Sequence, residues 1–323
     1  TAGIEHQEKE ARPKSLNVNF VPPPPFVEQN FFASRTLYAG YLQQQILLLD
    51  DRLIGTGGFR VDSDEDFGRE VSASWSVAYL QDWDGSGRLS TRVKGGYNEG
   101  FKAPTFNELF FPGFGNPNLG PETSSEYDGG VVQNLWGEAL TVAGTFFSRR
   151  TKNLIQGEPV CGSTVAPSGF VVACNVGRAD VQGVETSVTV EPTAGLSMQG
   201  TYTYLDFNVA GPNGSTPLTQ RPHNRMGAGA RYRRALGWQT EDLLDLTTSV
   251  NYAGERHDVS GGLDPTYTVA NAAVTYSFPI RDAWVERLGL FARVGNLFDR
   301  NYAEVRGFKS LPINFVAGTN VTF

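Results

Sequence analysis

Polar and apolar residues alternate with a period of two along most of the chain. Between Glu70 and Gln81, Val71, Ala73, Trp75, Val77 and Tyr79 share one face, while Ser72, Ser74, Ser76 and Ala78 share the other. That period belongs to a strand with one greasy and one wet surface, not to a helix. The same rhythm predicts strands over residues 1–10, 37–49, 53–61, 70–81, 89–98, 125–135, 139–149, 180–190, 196–207, 224–233, 244–254, 267–278, 288–297 and 313–323. The stretches between them are rich in Gly, Pro, Asn and Asp, the residues that turns require. Residues 12–33 include four consecutive prolines at 22–25, which no sheet interior accepts. The connections alternate between long and short, apart from a compact turn over 62–68. A soluble sandwich has no reason to keep that rhythm. A transmembrane β-barrel does, because its turns are short on one side of the bilayer and its loops long on the other. Strands of about 10 residues also match a tilted crossing of the hydrocarbon. The fold class predicted is therefore all-β, an antiparallel transmembrane β-barrel with about 14 strands present.

Composition sharpens this picture. A chain of 323 residues suits one large β domain or two average ones. Its 37 glycines, 12% aromatics and only 2 methionines favour strands and turns. The net charge of −7 argues against a nucleic-acid partner, which calls for a basic face. No window approaches the ~20 apolar residues of a membrane helix. The longest aliphatic run is residues 46–49. A barrel wall shows no such window either, because alternation averages to mild polarity. Cys161 and Cys174 lie in one polar segment, which suggests a disulfide across a loop in an oxidising compartment; two unpaired thiols are the alternative. Their spacing lends little support to zinc or redox chemistry.

Residues 98–124 stand apart. Pro104, Pro112, Pro117 and Pro121 and Gly100, Gly113, Gly115 and Gly120 argue against a helix or a central strand there. Yet Phe101, Phe106, Phe110, Phe111 and Phe114 crowd into it, so the stretch reads as a stiff, shaped loop. The run Gly100-Phe-Lys-Ala-Pro104, followed by Gly115-Asn-Pro-Asn-Leu-Gly-Pro-Glu122, resembles the barrel signature of TonB-dependent outer-membrane receptors, and most nearly the vitamin B12 (cobalamin) receptor-like branch. The resemblance runs from about Thr36 to the C-terminus and includes Val294-Gly-Asn-Leu-Phe-Asp-Arg-Asn-Tyr302. In the last strand Phe315, Ala317, Thr319, Val321 and Phe323 share one face. That ending resembles the signal read by the barrel assembly machinery, with Phe315, Val321 and Phe323 as its apolar stripe.

The resemblance implies a Gram-negative outer membrane location and a 22-stranded barrel filled by an N-terminal plug that contacts TonB. Residues 1–323 then form a C-terminal barrel fragment without the plug. Thr1 reads as though it begins inside a strand, and no export signal precedes it, so an N-terminal portion is expected upstream. Strands 1–10 and 313–323 either pair to close a 14-stranded barrel or leave an open, curved sheet. The function implied is TonB-energised uptake of a scarce, bulky ligand, with cobalamin favoured. A ferric siderophore receptor and a passive porin are the alternatives. The partners implied are outer-membrane lipid, TonB, the assembly machinery and cobalamin or a metal chelate.

Catalysis has little support. His6, His223 and His257 are scattered, and no G-x-S-x-G elbow is present. A Ser–His hydrolase using His223 is the enzyme alternative. The acidic run Asp62, Asp64, Glu65, Asp66 offers oxygen ligands for Ca²⁺ but lacks EF-hand spacing, so a solvated loop tip is the favoured reading. Neither a metal nor a cofactor is expected. Phe110, Phe111, Phe114, Asn116 and Asn118 are the candidate ligand contacts, rings for stacking and amides for oriented hydrogen bonds. The alternative is that these rings only brace the loop. Arg92 and Arg293 face the lumen in this reading.

Overall fold

A computed structural model describes residues 1–12, 32–137, 139–162, 164–165, 171–211, 214–216, 219–258, 262–280 and 284–322. The proline run at 22–25 and Phe323 lie outside the described residues. One antiparallel sheet holds fourteen strands that pair in chain order and a short extra strand, Gly214–Thr216, that pairs off this path with residues 209–211. The fourteen are β1 Ala2–Ala11, β2 Ala33–Leu48, β3 Leu53–Asp64, β4 Gly68–Asp82, β5 Ser90–Lys102, β6 Glu122–Leu135, β7 Leu140–Lys152, β8 Arg178–Thr193, β9 Leu196–Gly211, β10 Asn224–Arg234, β11 Leu243–Ala253, β12 Tyr267–Pro279, β13 Arg287–Gly295 and β14 Asn314–Thr322. Among the described residues β1 pairs only with β2, and β14 only with β13. Of the two arrangements expected, the sheet takes the open one.

The registers show why the sequence alternates. Cross-strand partners share a face, so one face can be followed from strand to strand. Val142, Val188, Gly200, Ala228, Val250 and Ala270 lie in one row across β7 to β12. One residue away, Thr141, Thr189, Gln199, Gly229, Ser249 and Asn271 form the parallel row on the opposite face. The first row is aliphatic and its valines are exposed. The second is polar. A one-residue slip anywhere would exchange the two, so the hydrocarbon-facing surface fixes the register of the whole wall. Phe315 and Val321 pair with Val294 and Leu288, and both are exposed on the apolar face.

The six short connections, 49–52, 83–89, 136–139, 194–195, 235–242 and 280–286, all fall at one end. Trp83, Trp136, Trp238 and Trp284 sit in four of them, each more than 60% exposed. An indole prefers the water–lipid boundary, so these rings mark the edge of the membrane on the short-turn side. In the 235–242 turn the Asp242 carboxylate accepts from the amides of Leu236, Gly237 and Trp238 at 3.0 Å and from Gln239 at 3.3 Å. The Tyr276 hydroxyl adds a further donor at 3.0 Å. Burial alone would raise the carboxyl pKa, but these donors outweigh it and hold Asp242 below its ordinary value.

A wall one sheet thick has no interior, so the buried apolar clusters lie under the long loops instead. One joins Cys174, Val176, Ala179 and Val209. The other joins Leu109, Leu119 and Ala173, with Phe67, Phe114 and Ile155 packed against it. Three local expectations are corrected here. The turn over 62–68 shrinks to 65–67, because the β3–β4 ladder continues to Asp64 opposite Gly68. A short helix, α1 Phe106–Phe110, forms where prolines and glycines argued against one. The long loops also carry hairpins of their own, such as Ile155–Glu158 with Val172–Asn175 and Arg256–His257 with Leu263–Asp264.

Candidate functional site

The 103–121 loop rises from β5 and returns into β6 at the long-loop end. Thr105 starts α1 through a capping box. Its Oγ1 accepts from the Glu108 amide at 3.2 Å, and Glu108 Oε2 accepts from the Thr105 amide at 2.7 Å. Pro104 immediately before that cap does not obstruct the helix, because it precedes the first turn. At the base of the loop, the Lys102 ammonium lies 3.4 Å from Glu108 and 3.3 Å from Glu122. Gly115 is required sterically. A Cβ there would stand 2.6–2.7 Å from backbone atoms of Leu109, Phe110 and Phe111.

Arg35, at the outer end of β2, anchors the loop from beneath. Its Nη1 donates to the Pro104 carbonyl at 2.9 Å and its Nε to Asp66 at 3.0 Å. The guanidinium sits 4.8 Å from the Phe67 ring centroid and 5.2 Å from that of Phe106. Asp64, its side chain 2% exposed, lies 3.8 Å away. Asp64 Oδ1 also accepts the amides of Asp66 at 2.9 Å and Phe67 at 3.2 Å. Asp62 is held by Arg60 at 2.9 Å. Asp62 and Asp64 therefore form neither a solvated tip nor a calcium loop; arginines and turn amides occupy both carboxylates. Among the described residues no group of three or more His, Cys, Asp or Glu is placed to hold a metal ion.

A pocket of about 980 Å³ opens beside Arg35. It forms where β5 leaves β4: their ladder ends at Ser74–Asn98, and Glu99 then takes the Ala73 amide at 2.9 Å. Five carboxylates, Glu8, Glu10, Asp62, Asp64 and Glu99, and four cations, Lys9, Arg35, Arg60 and Lys102, line it, with Phe101 and Phe106 supplying apolar wall. Such a lining suits a large ligand of mixed polarity better than a small ion.

The loop also leans on the 153–177 segment. Cys161 and Cys174 are bonded, with Cα atoms 5.5 Å apart, as their placement in one segment suggests. The Ala173 amide donates to the Phe114 carbonyl at 2.7 Å. Asn116 Nδ2 donates to the Ala173 carbonyl at 3.0 Å and lies 3.6 Å from Cys161 Sγ. Asn175 accepts the Gly120 amide at 2.8 Å and donates back to its carbonyl at 3.0 Å.

The five predicted contact residues thus share one loop but not one orientation. Phe114 and Asn116 turn toward the disulfide segment. Phe110, 41% exposed, stacks on Phe106 at 6.5 Å and stands at the surface with Asn118; Phe111 is half-buried. Arg92 and Arg293 lie on the polar face, opposite Leu80 and Val316 respectively. His223 stacks on Phe207 at 4.5 Å, with Nδ1 2.6 Å from the Leu205 carbonyl, an arrangement that braces rather than activates. Sequence reasoning missed Arg35 and Asn175. Neither belongs to a local motif, since their partners lie 69 and 55 residues away in the chain.

Comparison with known proteins agrees with this geometry. Residues 3–297 match the family model for the TonB dependent receptor-like β-barrel. The iron-regulated outer membrane virulence protein of Vibrio cholerae is 28% identical over 300 residues, covering 84% of this chain and 42% of that protein. The vitamin B12 transporter BtuB of Photobacterium profundum is 29% identical over 249 residues, covering 76% and 37%. Among solved structures, the siderophore receptor PirA from Acinetobacter baumannii superposes with a TM-score of 0.74 at 16% identity, over 100% of this chain and 52% of that one. The copper transporter OprC gives 0.72 at 17% identity, over 100% and 54%. The chain spans about half the length of those structures and less than half of the curated relatives. From its alternating wall, its loops and these matches, the chain belongs to the TonB-dependent receptor β-barrel family of the Gram-negative outer membrane.

Proposed function

We propose that this chain is the C-terminal barrel portion of a receptor that imports a scarce, bulky metal chelate, energised through TonB. The observation that carries the reading is the wall itself: fourteen strands with an aliphatic outer row, a polar inner row and the long connections all at one end. Membership of the family supports energised uptake over a passive channel. Cobalamin is the leading cargo, on the motif pair of residues 100–104 and 115–122 and the likeness to BtuB. A ferric siderophore is the second reading, favoured by the iron-regulated relative that aligns with 84% of this chain. Phe110 and Asn118, with Phe111 beside them, are the proposed ligand contacts, and Phe114 and Asn116 hold them in place. TonB is the proposed energy-transducing partner, and the assembly machinery is proposed to read the Phe315 and Val321 stripe.

Growth of a receptor-deleted host carrying the full-length gene decides the cargo. Rescue on limiting cobalamin, lost when TonB is deleted, is the expected result. Rescue on a ferric siderophore alone moves the assignment to the second reading. Constitutive conductance in planar bilayers with neither rescue overturns both in favour of a passive pore.

A further inference from the structure

The outward face of β7 and β8 changes character at its upper end. Val142 and Phe146 are exposed apolar residues of β7 on that face, and Val188 and Val184 match them on β8. Ser148 and Gln182 form the next pair. Above it stand Arg150 opposite Asp180, and then Lys152 opposite Arg178. The inward positions between them confirm the facing: Ala179, opposite Thr151, is buried beneath the disulfide segment. At roughly 3.3 Å per residue, Arg150 lies about 13 Å along the strand beyond Phe146, and Lys152 about 20 Å. With the tilt of a barrel strand, that is the depth of lipid headgroups.

Two of these three cations share one carboxylate, and the third has none. Asp180 meets Arg150 Nε at 2.8 Å and Arg178 Nε at 2.7 Å. Among the described residues the Nη nitrogens of neither arginine donate a hydrogen bond, and Lys152 has no carboxylate within ion-pair distance. Arg150 and Arg178 are about half exposed. Like charges directly opposite on a sheet repel, so the Lys152–Arg178 pair favours an anion between them. Two guanidiniums and an ammonium fit a phosphate, which accepts both forked and point-charge donors. The surface is continuous with the hydrocarbon-facing wall, so the matching anion is one anchored in lipid.

We propose that Arg150, Lys152 and Arg178 form a binding site for the phosphorylated headgroup of an outer-leaflet lipid. Asp180 is a positioning residue that holds the two guanidiniums in place. This site does not depend on which cargo the receptor carries.

The test uses the full-length protein in detergent, with lipid retention read by native mass spectrometry. The probes are bisphosphorylated lipid A, the same lipid chemically dephosphorylated, and inorganic phosphate. The wild type is expected to retain the phosphorylated lipid at least tenfold more than the dephosphorylated one. R150Q/K152Q/R178Q should erase that preference, while K309Q, an exposed lysine in another loop, should keep it. Heat-modifiable migration shows whether each variant is folded. If the triple variant does not fold, K152Q alone should lower the preference severalfold. Equal retention of both lipids, an unchanged preference in the folded variants, or inorganic phosphate displacing the lipid at equal concentration would each overturn the proposal.

Discussion

Replacing Arg35 with Met should loosen the aromatic loop while leaving the wall intact. The substitution keeps most of the side-chain length but deletes the hydrogen bonds to Pro104 and Asp66 and both ring contacts. It also strands Asp64, whose side chain is 2% exposed. Breaking a buried ion pair costs about 3–5 kcal/mol, mostly through the charge left behind. Two features argue for the lower end. Asp64 keeps its two amide donors, and Asp66 is 48% exposed, so that ion pair contributes little. An expected cost of about 3 kcal/mol corresponds to a rise in local opening of roughly a hundredfold. Hydrogen exchange on the full-length protein reads this directly. The amides of Leu109, Phe111, Gly115 and Asn116, each bonded within the loop, should exchange about two orders of magnitude faster, while the β7–β8 ladder stays protected. Adding Asp64→Asn should recover part of the loss, since the stranded charge disappears. If Arg35→Met leaves loop exchange unchanged, or the double variant exchanges faster than the single, the anchoring role of Arg35 is wrong.

Three further outcomes follow from the geometry. Because Asp242 is held below its ordinary pKa, its contribution to the 235–242 turn is complete above the unfolded carboxylate value of about 4 and is lost as pH falls through the lowered folded value; Trp238 emission should report that transition in the wild type and none in Asp242→Asn, and a turn that loosens instead on raising the pH contradicts it. Replacing Cys161 and Cys174 by Ser should destabilise the 153–177 segment by about 3 kcal/mol, the chain-entropy value for a loop of this size, seen as faster protease nicking there without loss of the folded barrel; unchanged nicking would assign the stability to the surrounding hydrogen bonds. Gly195 has φ +85° and an added Cβ would stand 2.2 Å from the Arg233 carbonyl, whereas Gly237 at φ +75° has open space. Gly195→Ala should therefore lower the yield of heat-modifiable barrel well below Gly237→Ala, which carries only backbone strain of about 1 kcal/mol; equal yields would refute the steric argument.

The wall was legible in the sequence because its two faces meet different solvents. The alternation of Val71 to Tyr79 against Ser72 to Ala78 needs no tertiary information. What was hidden is whatever depends on distant partners. The acidic run resembled a solvated tip because Arg35, about thirty residues upstream, has no mark that sets it apart from other strand arginines. The helix was missed although Thr105 and Glu108 spell a capping box, because the surrounding prolines and glycines dominated the local reading. The sequence points to Asn116 as a ligand contact because its amide offers oriented hydrogen bonds, yet that amide is directed to Ala173, a residue in another loop. The hairpin pairing Ile155–Glu158 with Val172–Asn175 was invisible because each arm has only four residues, too few to show a period.

The junction between the two outer loops bears on how new specificities arise. Phe114, Asn116 and Gly120 on one side and Ala173 and Asn175 on the other are joined by reciprocal backbone and amide bonds. Neither loop can be exchanged alone without orphaning donors on its neighbour. A chimaera that borrows recognition from a relative should therefore carry residues 103–121 and 153–177 together as one cassette, and natural divergence of one segment is expected to drag the other along with it.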